Sequence, residues 1–283
     1  MYADLHIHTC FSDGTQTPKE IVDIAKKKGL DAISICDHNT IDAYDELIPL
    51  CANENIQLVR GVELSVNWSN QVLHILAYNF NPFDTSMLEL INETRAELDN
   101  WSMDLIVSLK RKGFPVTLNE YEKFKKNPKS GGWKCLYYLN QKKILPNMRN
   151  WREFYEKYGH CPVYHQIDEA CKIIKDAGGT PVLAHPGRRP GFELINTDTL
   201  TEFKSFGLMG IECYYPSHSP ELTNFCVNFC RKNDMRITSG GDSHGSFLDK
   251  VYPNEKGVVY DIGIMKTPLE EQYLNGIING RNS

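Results

Sequence analysis

Short β-rich segments alternate with helical patterns in the front part of the chain, and the same alternation returns in its last third. Parallel strands need long crossover connections, which helices usually supply, so this order is typical of a parallel α/β sheet or barrel. Seven strands are predicted, at Ala3–His8, Ala32–Cys36, Gln57–Glu63, Val72–Asn79, Thr180–Ala184, Met209–Tyr214 and Arg236–Ser239. The pattern therefore predicts an α/β fold.

The first predicted helix has clear boundary signals. Thr17 can cap it, Pro18 suits its first position, and Glu20 completes a capping box. Gly29 follows its last residue, as is common at helix ends. Further helices are predicted in the later connections, near Ile167–Asp176, Thr199–Phe206 and Pro220–Lys232.

A stretch between the two alternating series has helical patterns and little strand character. Its first helix carries an apolar stripe at Leu88, Ile91, Leu98, Leu105 and Leu109, which indicates packing. We therefore predict a barrel domain built from residues 1–83 and 166–283, with residues 84–165 as an inserted helical subdomain.

Composition excludes several classes of protein. The chain has 31 Lys and Arg against 36 Asp and Glu, for a net charge of −5, so no global basic field attracts nucleic acid or membrane. No apolar segment is long enough to span a bilayer, and the first residues lack a secretory signal pattern, which favours the cytoplasm. The nine cysteines are scattered and odd in number, so reduced thiols are expected. The sequence indicates no stable protein partner.

Imidazoles and carboxylates follow the predicted strands. His6 and His8 are two residues apart on a strand, so their side chains leave the same face and can chelate one metal ion. In a barrel the carboxyl ends of the strands meet at one mouth. The other residues of this kind are Asp13, Asp37, His38, Glu63, His74, His185, Asp242 and His244. Imidazole and carboxylate without thiolate favour Zn²⁺, Mn²⁺ or Fe²⁺ over Ca²⁺ or a structural cysteine site.

Five sequence motifs together resemble the polymerase and histidinol phosphatase (PHP) family. They occupy residues 4–14, 37–40, 61–63, 184–187 and 241–245, in order and in both halves of the chain. The chain is most similar to the cytoplasmic nucleotide phosphoesterases of that family, which carry a helical insertion. The resemblance implies a distorted seven-stranded (β/α) barrel of PHP type, with three divalent metal ions (Mn, Fe or Zn) at its mouth.

The resemblance also implies which residues would bind each metal ion. One ion would be held by His6, His8, Glu63 and Asp242, and Glu63 would bridge to a second ion on His74 and His185. The third would be held by Asp13, His38 and His244.

The implied reaction is hydrolysis of a phosphomonoester of a small nucleotide-like substrate, such as a nucleoside 3′,5′-bisphosphate or AMP. A metal-bridging hydroxide would attack phosphorus in line. Asp13 or Asp242 could relay its proton. His218 resembles a family position near the bound phosphate and could protonate the leaving oxygen, although an ordinary loop histidine explains it equally well.

Substrate contacts are predicted from position. Arg188, just beyond a metal ligand, could bind phosphate in bidentate fashion. The related branch has a Gly-Arg-Pro-His run where this chain has residues 131–134, and Lys134 could partly replace the missing charge. Four aromatic residues could stack on a base, but a core or rim position is the preferred interpretation for each: Trp68, Trp133, Tyr214 and Tyr215.

Three alternatives stay open. The same metals could serve an exonuclease that trims RNA 5′ ends, which a lysine run in the insertion would suit: Lys123, Lys125, Lys126, Lys129 and Lys134. A non-catalytic metal-binding regulatory module is a second alternative, although such modules usually lose ligands. An amidohydrolase is the third, since it also uses a His-x-His pair on a barrel strand.

Overall fold

The computed structural model describes residues 2–187, 195–251 and 258–265, together with Leu274, Ile277 and Ile278. Seven strands form one sheet in sequence order, which curves into a nearly closed barrel. They are β1 (Ala3–Ile7), β2 (Ala32–Ile35), β3 (Gln57–Trp68), β4 (Gln71–Tyr78), β5 (Thr180–Leu183), β6 (Gly210–Tyr214) and β7 (Arg236–Ser239). The predicted α/β barrel of seven strands is confirmed.

One strand runs against the others. β4 pairs antiparallel with both β3 and β5, whereas the remaining neighbours are parallel. The two-residue turn from β3 to β4 has positive φ at Ser69 (47°) and Asn70 (62°), as a tight hairpin requires. β4 is therefore the exception to the parallel order that the alternation of strands and helices predicts. Glu63 does not end β3 as predicted, because the hairpin extends this strand to Trp68.

The seam between β1 and β7 closes the barrel. The His8 amide donates to the Ser243 carbonyl at 2.9 Å. The buried Asp4 carboxylate accepts from the amides of Gly241 (3.0 Å) and Gly263 (2.6 Å). These bonds hold the ends of the first and last strands side by side, where the predicted ligands lie.

The helices are α1 (Pro18–Lys28), α2 (Tyr44–Asn53), α3 (Thr85–Arg111), α4 (Leu118–Lys123), α5 (Lys134–Gln141), α6 (Trp151–Tyr158), α7 (Ile167–Asp176), α8 (Thr197–Ser205), α9 (Pro220–Asn233) and α10 (Phe247–Val251). In α1 the capping box forms in both directions, and Gly29 ends the helix with φ of 67°. The predicted boundaries of α1 are confirmed. In the described part of the chain no helix is both long and apolar enough to cross a membrane.

The long helix α3 belongs to two hydrophobic clusters. Near its start, Met87 and Leu90 pack with residues of β3, β4 and α7. Near its end, Leu105 and Leu109 pack with α5, α6 and α10. The helical character of this region agrees with the sequence, and its limits at residues 84 and 165 stay a prediction.

Candidate metal and substrate site

The nine predicted metal ligands converge at one end of the barrel. Three overlapping groups have ligand atoms within 4.8 Å of one another: His6, His8, Glu63 and Asp242; His8, Asp13, His38 and His244; and His38, Glu63 and His74. His185 joins the last group, because its Nε2 lies 2.8 Å from Glu63 Oε1. The side chains come from six strands or the loops that follow them, and most are buried.

Glu63 lies at the centre and serves two sides of the cluster. Its Oε1 is 2.8 Å from His74 Nδ1 and 2.8 Å from His185 Nε2. Its Oε2 is 3.2 Å from His8 Nε2 and 3.3 Å from His38 Nδ1. Since β4 runs antiparallel, His74 near its start reaches the same mouth as the residues that follow the parallel strands. The two oxygens of Glu63 are therefore arranged as a bridging carboxylate would be.

A loop after β1 carries Asp13 into the cluster. Asp13 Oδ2 lies 3.1 Å from His244 Nε2. The Asp37 carboxylate holds this loop, since it accepts from the Thr9 amide at 2.7 Å and from the Ser12 hydroxyl at 2.6 Å. Asp37 thus orients the loop.

Two of the predicted ligands have an unusual backbone conformation. His185 has φ of 27° and Asp242 has φ of 47°, in the left-handed region that residues with a side chain seldom occupy. Such residues cost on the order of 1–3 kcal/mol each and cluster at functional sites. Both follow short strands, so this conformation turns their side chains back over the barrel mouth.

Glu212 on β6 is a site residue that the sequence analysis missed. Its Oε1 lies 3.0 Å from His6 Nδ1, and its Oε2 accepts from the His185 amide at 2.7 Å. Glu212 is fully buried, and burial raises its pKa although the neighbouring His6 opposes that shift. A carboxylate on the far nitrogen fixes the tautomer of a metal-binding histidine. The available signal was a charged residue between Ile211 and Cys213 in a buried strand.

The charges of the cluster favour bound cations. Burial opposes ionisation of Glu63, but the imidazoles of His38 and His74 outweigh it and hold its pKa well below the usual range. Burial also disfavours the His8 cation, yet Asp242 and Glu63 raise the pKa of His8 to about 10. An ionised carboxylate surrounded by imidazoles is therefore a place that attracts positive charge.

The residues fit divalent metal ions. Glu63 Oε2 and His8 Nδ1 are buried and make no hydrogen bond within the described residues. Imidazole nitrogens of His6, His8 and His38 approach Glu63 Oε2 at 3.2–3.3 Å without hydrogen-bond geometry, as ligand atoms facing a common centre do. Imidazole nitrogens and carboxylate oxygens are ligands of Zn²⁺, Mn²⁺ and Fe²⁺.

A cavity runs from the predicted metal ligands to an aromatic wall. At its inner end lie Asp13, His38, His74, His185 and His244. Its outer part, here called the aromatic wall, is formed by Trp101, Trp133, Trp151, Tyr155 and Phe247. Arg152 is the one Lys or Arg among the described residues that line the cavity. Their place in the cavity was not predictable from strand ends, because helices outside the barrel and the segment before α5 carry them.

Neither of the two basic residues predicted to bind substrate is found at the cavity among the described residues. Arg188 lies outside the described residues. Lys134 does not line the cavity: its ammonium lies 4.6 Å from the centre of the Tyr121 ring and donates to the Glu122 carbonyl. Its predicted phosphate contact therefore lacks support, because the start of α5 directs it away from the metal ligands.

His218 has both ring nitrogens engaged. Nδ1 lies 3.0 Å from the Cys213 carbonyl, and Nε2 accepts from the Gly187 amide at 3.1 Å. Burial lowers the pKa of His218 to about 4. This neutral imidazole holds the loop after His185, and its predicted proton donation stays a prediction that needs Nε2 to be released.

Of the aromatic residues considered from the sequence, Trp133 lines the cavity. Trp68 packs edge to face on Phe203 at 5.0 Å, in a hydrophobic cluster. The Tyr215 hydroxyl donates to Asp242 Oδ2 at 2.8 Å, so Tyr215 helps to hold the side chain of a predicted ligand in place.

Comparison with known proteins identifies the family. The PHP domain model matches residues 4–162. A 3′,5′-nucleoside bisphosphate phosphatase from Chromobacterium violaceum is 26% identical over 260 residues, 85% of this chain and 86% of that protein. A 5′-3′ exoribonuclease from Haemophilus influenzae is 24% identical over 244 residues, 85% of this chain and 89% of that protein.

A solved structure has the same fold. A protein from Bifidobacterium adolescentis, assigned as a metal-dependent phosphoesterase, superposes with a TM-score of 0.75 at 24% identity and covers 98% of this chain and 96% of that one. The barrel, the converging ligands and the family match agree with the resemblance seen in the sequence. The chain therefore belongs to the PHP domain family and is a metal-dependent phosphoester hydrolase.

Proposed function

We propose that this protein removes phosphate from a phosphomonoester of a small nucleotide-like substrate, such as a nucleoside 3′,5′-bisphosphate or AMP. The observation that carries the proposal is the single cavity that joins the metal ligands to the aromatic wall. A phosphate needs cationic partners and a nucleobase needs a flat apolar surface, and this cavity offers both at its two ends.

Three divalent cations would occupy the inner end. His6, His8, Glu63 and Asp242 would hold one, Glu63, His74 and His185 a second, and Asp13, His38 and His244 a third. When bound, such ions lower the pKa of water and offset the charge of the phosphate. Glu212 orients His6 for this task through Nδ1, so that Nε2 faces the centre.

Asp13 is better placed than Asp242 to accept a proton during the reaction. Asp13 lines the cavity, where a substrate would reach its carboxylate. Asp242 is not among the residues that line the cavity, and its Oδ2 already accepts from Tyr215. We therefore assign Asp13 the role of taking up a proton during the reaction.

The aromatic wall supports a nucleoside rather than a simple sugar. Trp133 and Trp151 have ring centres 5.6 Å apart, and Trp101 lies 4.5 Å from Tyr155. Exposed faces of such rings stack on bases of any sequence. Arg152 adds a planar guanidinium at the same wall, suited to a second anionic group.

Trimming of RNA ends is the alternative function, favoured by the name of the Haemophilus influenzae relative. The lysine run that would support it is largely engaged within the protein. Lys129 pairs with Glu20 at 2.7 Å, Lys134 lies on Tyr121, and Lys126 donates to backbone carbonyls. A groove for a long backbone needs free lysines, so the monoesterase is the better supported function.

The test is phosphate release by the protein reconstituted with Mn²⁺. Substrates would be AMP, adenosine 3′,5′-bisphosphate, ribose 5-phosphate, histidinol phosphate and a short 5′-phosphorylated RNA. We expect the highest kcat/KM with one of the two nucleotides, and loss of activity on chelation. RNA shortening with little free phosphate would favour the nuclease instead. Stoichiometric metal without hydrolysis of any of these esters would favour the non-catalytic module.

Replacing Trp133 should separate recognition of the base from chemistry. Stacking on an aromatic side chain contributes about 1–3 kcal/mol per base, so Trp133→Leu should lower kcat/KM for AMP by about tenfold. The value for ribose 5-phosphate should change little, because that substrate has no base. Trp68→Leu is the matched control, since Trp68 packs away from the cavity. Equal losses for both substrates in Trp133→Leu would show that the wall does not read the base.

A further inference from the structure

A short segment of the insertion is fastened to the loop that carries Asp13. This segment, residues 126–133, lies between α4 and α5 and is here called the strap. The Gly132 amide donates to the Asp13 carbonyl at 2.7 Å. The next residue, Trp133, belongs to the aromatic wall. One backbone hydrogen bond therefore joins a metal ligand to the substrate wall.

Lys126 binds backbone carbonyls on both sides of the hydrogen bond between Gly132 and Asp13. Its ammonium donates to the carbonyls of Ser12 (3.5 Å), Gly131 (3.3 Å) and Gly132. An ammonium has three N–H donors, so these three acceptors use all of them. Within the described residues Lys126 has no carboxylate ion pair within 4.0 Å, and it is partly buried. Lys126 thus acts on backbone geometry and is not a free cation on a solvated face.

The two glycines leave the strap little freedom to shift. Gly131 and Gly132 have φ of 71° and 58°. A Cβ added to Gly131 would lie 2.5 Å from Phe247 Cβ and 2.9 Å from the Asp13 carbonyl oxygen. The backbone thus passes tightly between Asp13 and Phe247, where a longer side chain would force it apart. Lys129 adds an ion pair from the strap to Glu20 of α1, at 2.7 Å.

We propose that Lys126 is a positioning residue, which holds the strap against Ser12 and Asp13 and thereby aims the Asp13 carboxylate at the metal site. The inference rests on the proposed function, because it needs a metal ion near Asp13. Its consequence is that the insertion contributes to metal binding without providing a ligand. A change in the strap would then alter both the metal occupancy near Asp13 and the position of Trp133 in the cavity.

The positioning role of Lys126 can be tested without substrate, by a Mn²⁺ titration in which electron paramagnetic resonance detects the bound and free ion. We expect Lys126→Met to weaken one class of Mn²⁺ sites by about tenfold to a hundredfold, as loss of a supporting partner does. Lys126→Arg should recover part of that affinity, because it keeps the charge and several donors. Lys125→Met is the matched control, since Lys125 is exposed and adjacent in sequence. Unchanged affinity in Lys126→Met, or equal losses in Lys126→Met and Lys125→Met, would overturn the proposal.

Kinetics separate Lys126 from Trp133. If Lys126 acts through Asp13, Lys126→Met lowers kcat for AMP and ribose 5-phosphate alike, and excess Mn²⁺ restores part of it. A loss confined to AMP would contradict this role, because it would mean that the strap only places the wall. If the unmodified protein binds no Mn²⁺, the metal site itself fails and the proposed function falls with it.

Hydrogen exchange in the unmodified chain provides a measurement that no folding defect can disturb. Mn²⁺ fixes Asp13, so the Gly132 amide bonded to its carbonyl should exchange more slowly, by about fivefold or more. A peptide from α8, which belongs to the barrel and not to the strap or the metal cluster, serves as the internal reference. Exchange of residues 126–133 that is indifferent to Mn²⁺ would refute the coupling.

Discussion

Glu63→Gln should abolish turnover almost completely, with kcat lowered by about a thousandfold or more. The carboxylate has one oxygen against His74 and His185 and the other against His8 and His38. An amide of the same shape has a single acceptor, so one side of the cluster would face an N–H₂ group and lose its negative charge. Phosphate release from AMP and the metal content after gel filtration, measured by mass spectrometry, check this result.

The amide variant is more informative than alanine because it keeps the volume of a fully buried side chain. Circular dichroism should therefore show a folded protein, while mass spectrometry shows less bound metal. Glu202→Gln is the control, since Glu202 is exposed on α8 and belongs to none of the three groups of potential ligands. Normal metal content together with normal turnover in Glu63→Gln would remove Glu63 from the metal site.

Glu212→Gln should weaken metal binding by about tenfold to a hundredfold. One Glu212 oxygen accepts from His6 and the other from the His185 amide, so both partners need an acceptor. Glutamine offers only one, and its N–H₂ group would face a donor. His6 would then lose the hydrogen bond that fixes its Nδ1 proton and directs Nε2 to the metal.

A merely structural role would not produce the pattern expected for Glu212→Gln. Excess Mn²⁺ should restore most of kcat, and the Mn²⁺ dissociation constant should rise in step with the concentration needed for activity. Glu221→Gln, on the exposed start of α9, provides a comparison. Activity that is lost at every Mn²⁺ concentration, with unchanged metal affinity, would instead place Glu212 in the reaction itself.

Most of the barrel, and the convergence of the predicted ligands at its mouth, could be predicted from the order of the strands and the spacing of residues along them. A period of two sends His6 and His8 to one face, and convergence of parallel strands gathers residues that follow different strands. The capping box of α1 depends on four neighbouring residues and was predictable in the same way. The resemblance of the motifs supplied the grouping of ligands, which spacing alone did not.

What could not be predicted depends on long-range packing. The reversal of β4 follows from a Ser-Asn turn that is a weak hairpin signal, and it extended β3 beyond Glu63. The cavity-facing side of α6, with Trp151 and Arg152, is set by how that helix packs. Lys134 was misplaced for the same reason, because its position next to Trp133 in sequence says nothing about which way each side chain leaves the chain.

The reversed strand also explains the length of α3. Because β4 runs away from the mouth of the barrel, the chain leaves this strand at the end opposite the predicted metal ligands. The insertion must therefore return along the barrel to reach the mouth. Its 27 residues cover about 40 Å as a helix. The start of α3, its base, packs in the hydrophobic cluster of the barrel, and its end packs among the helices of the insertion. Because the helix is long, a tilt of about 5° at its base would move its other end by about 3.5 Å. We therefore expect substitutions around Met87 and Leu90, at the base of α3, to shift Leu98 and Trp101 of the same helix and so to change the width of the cavity that they line.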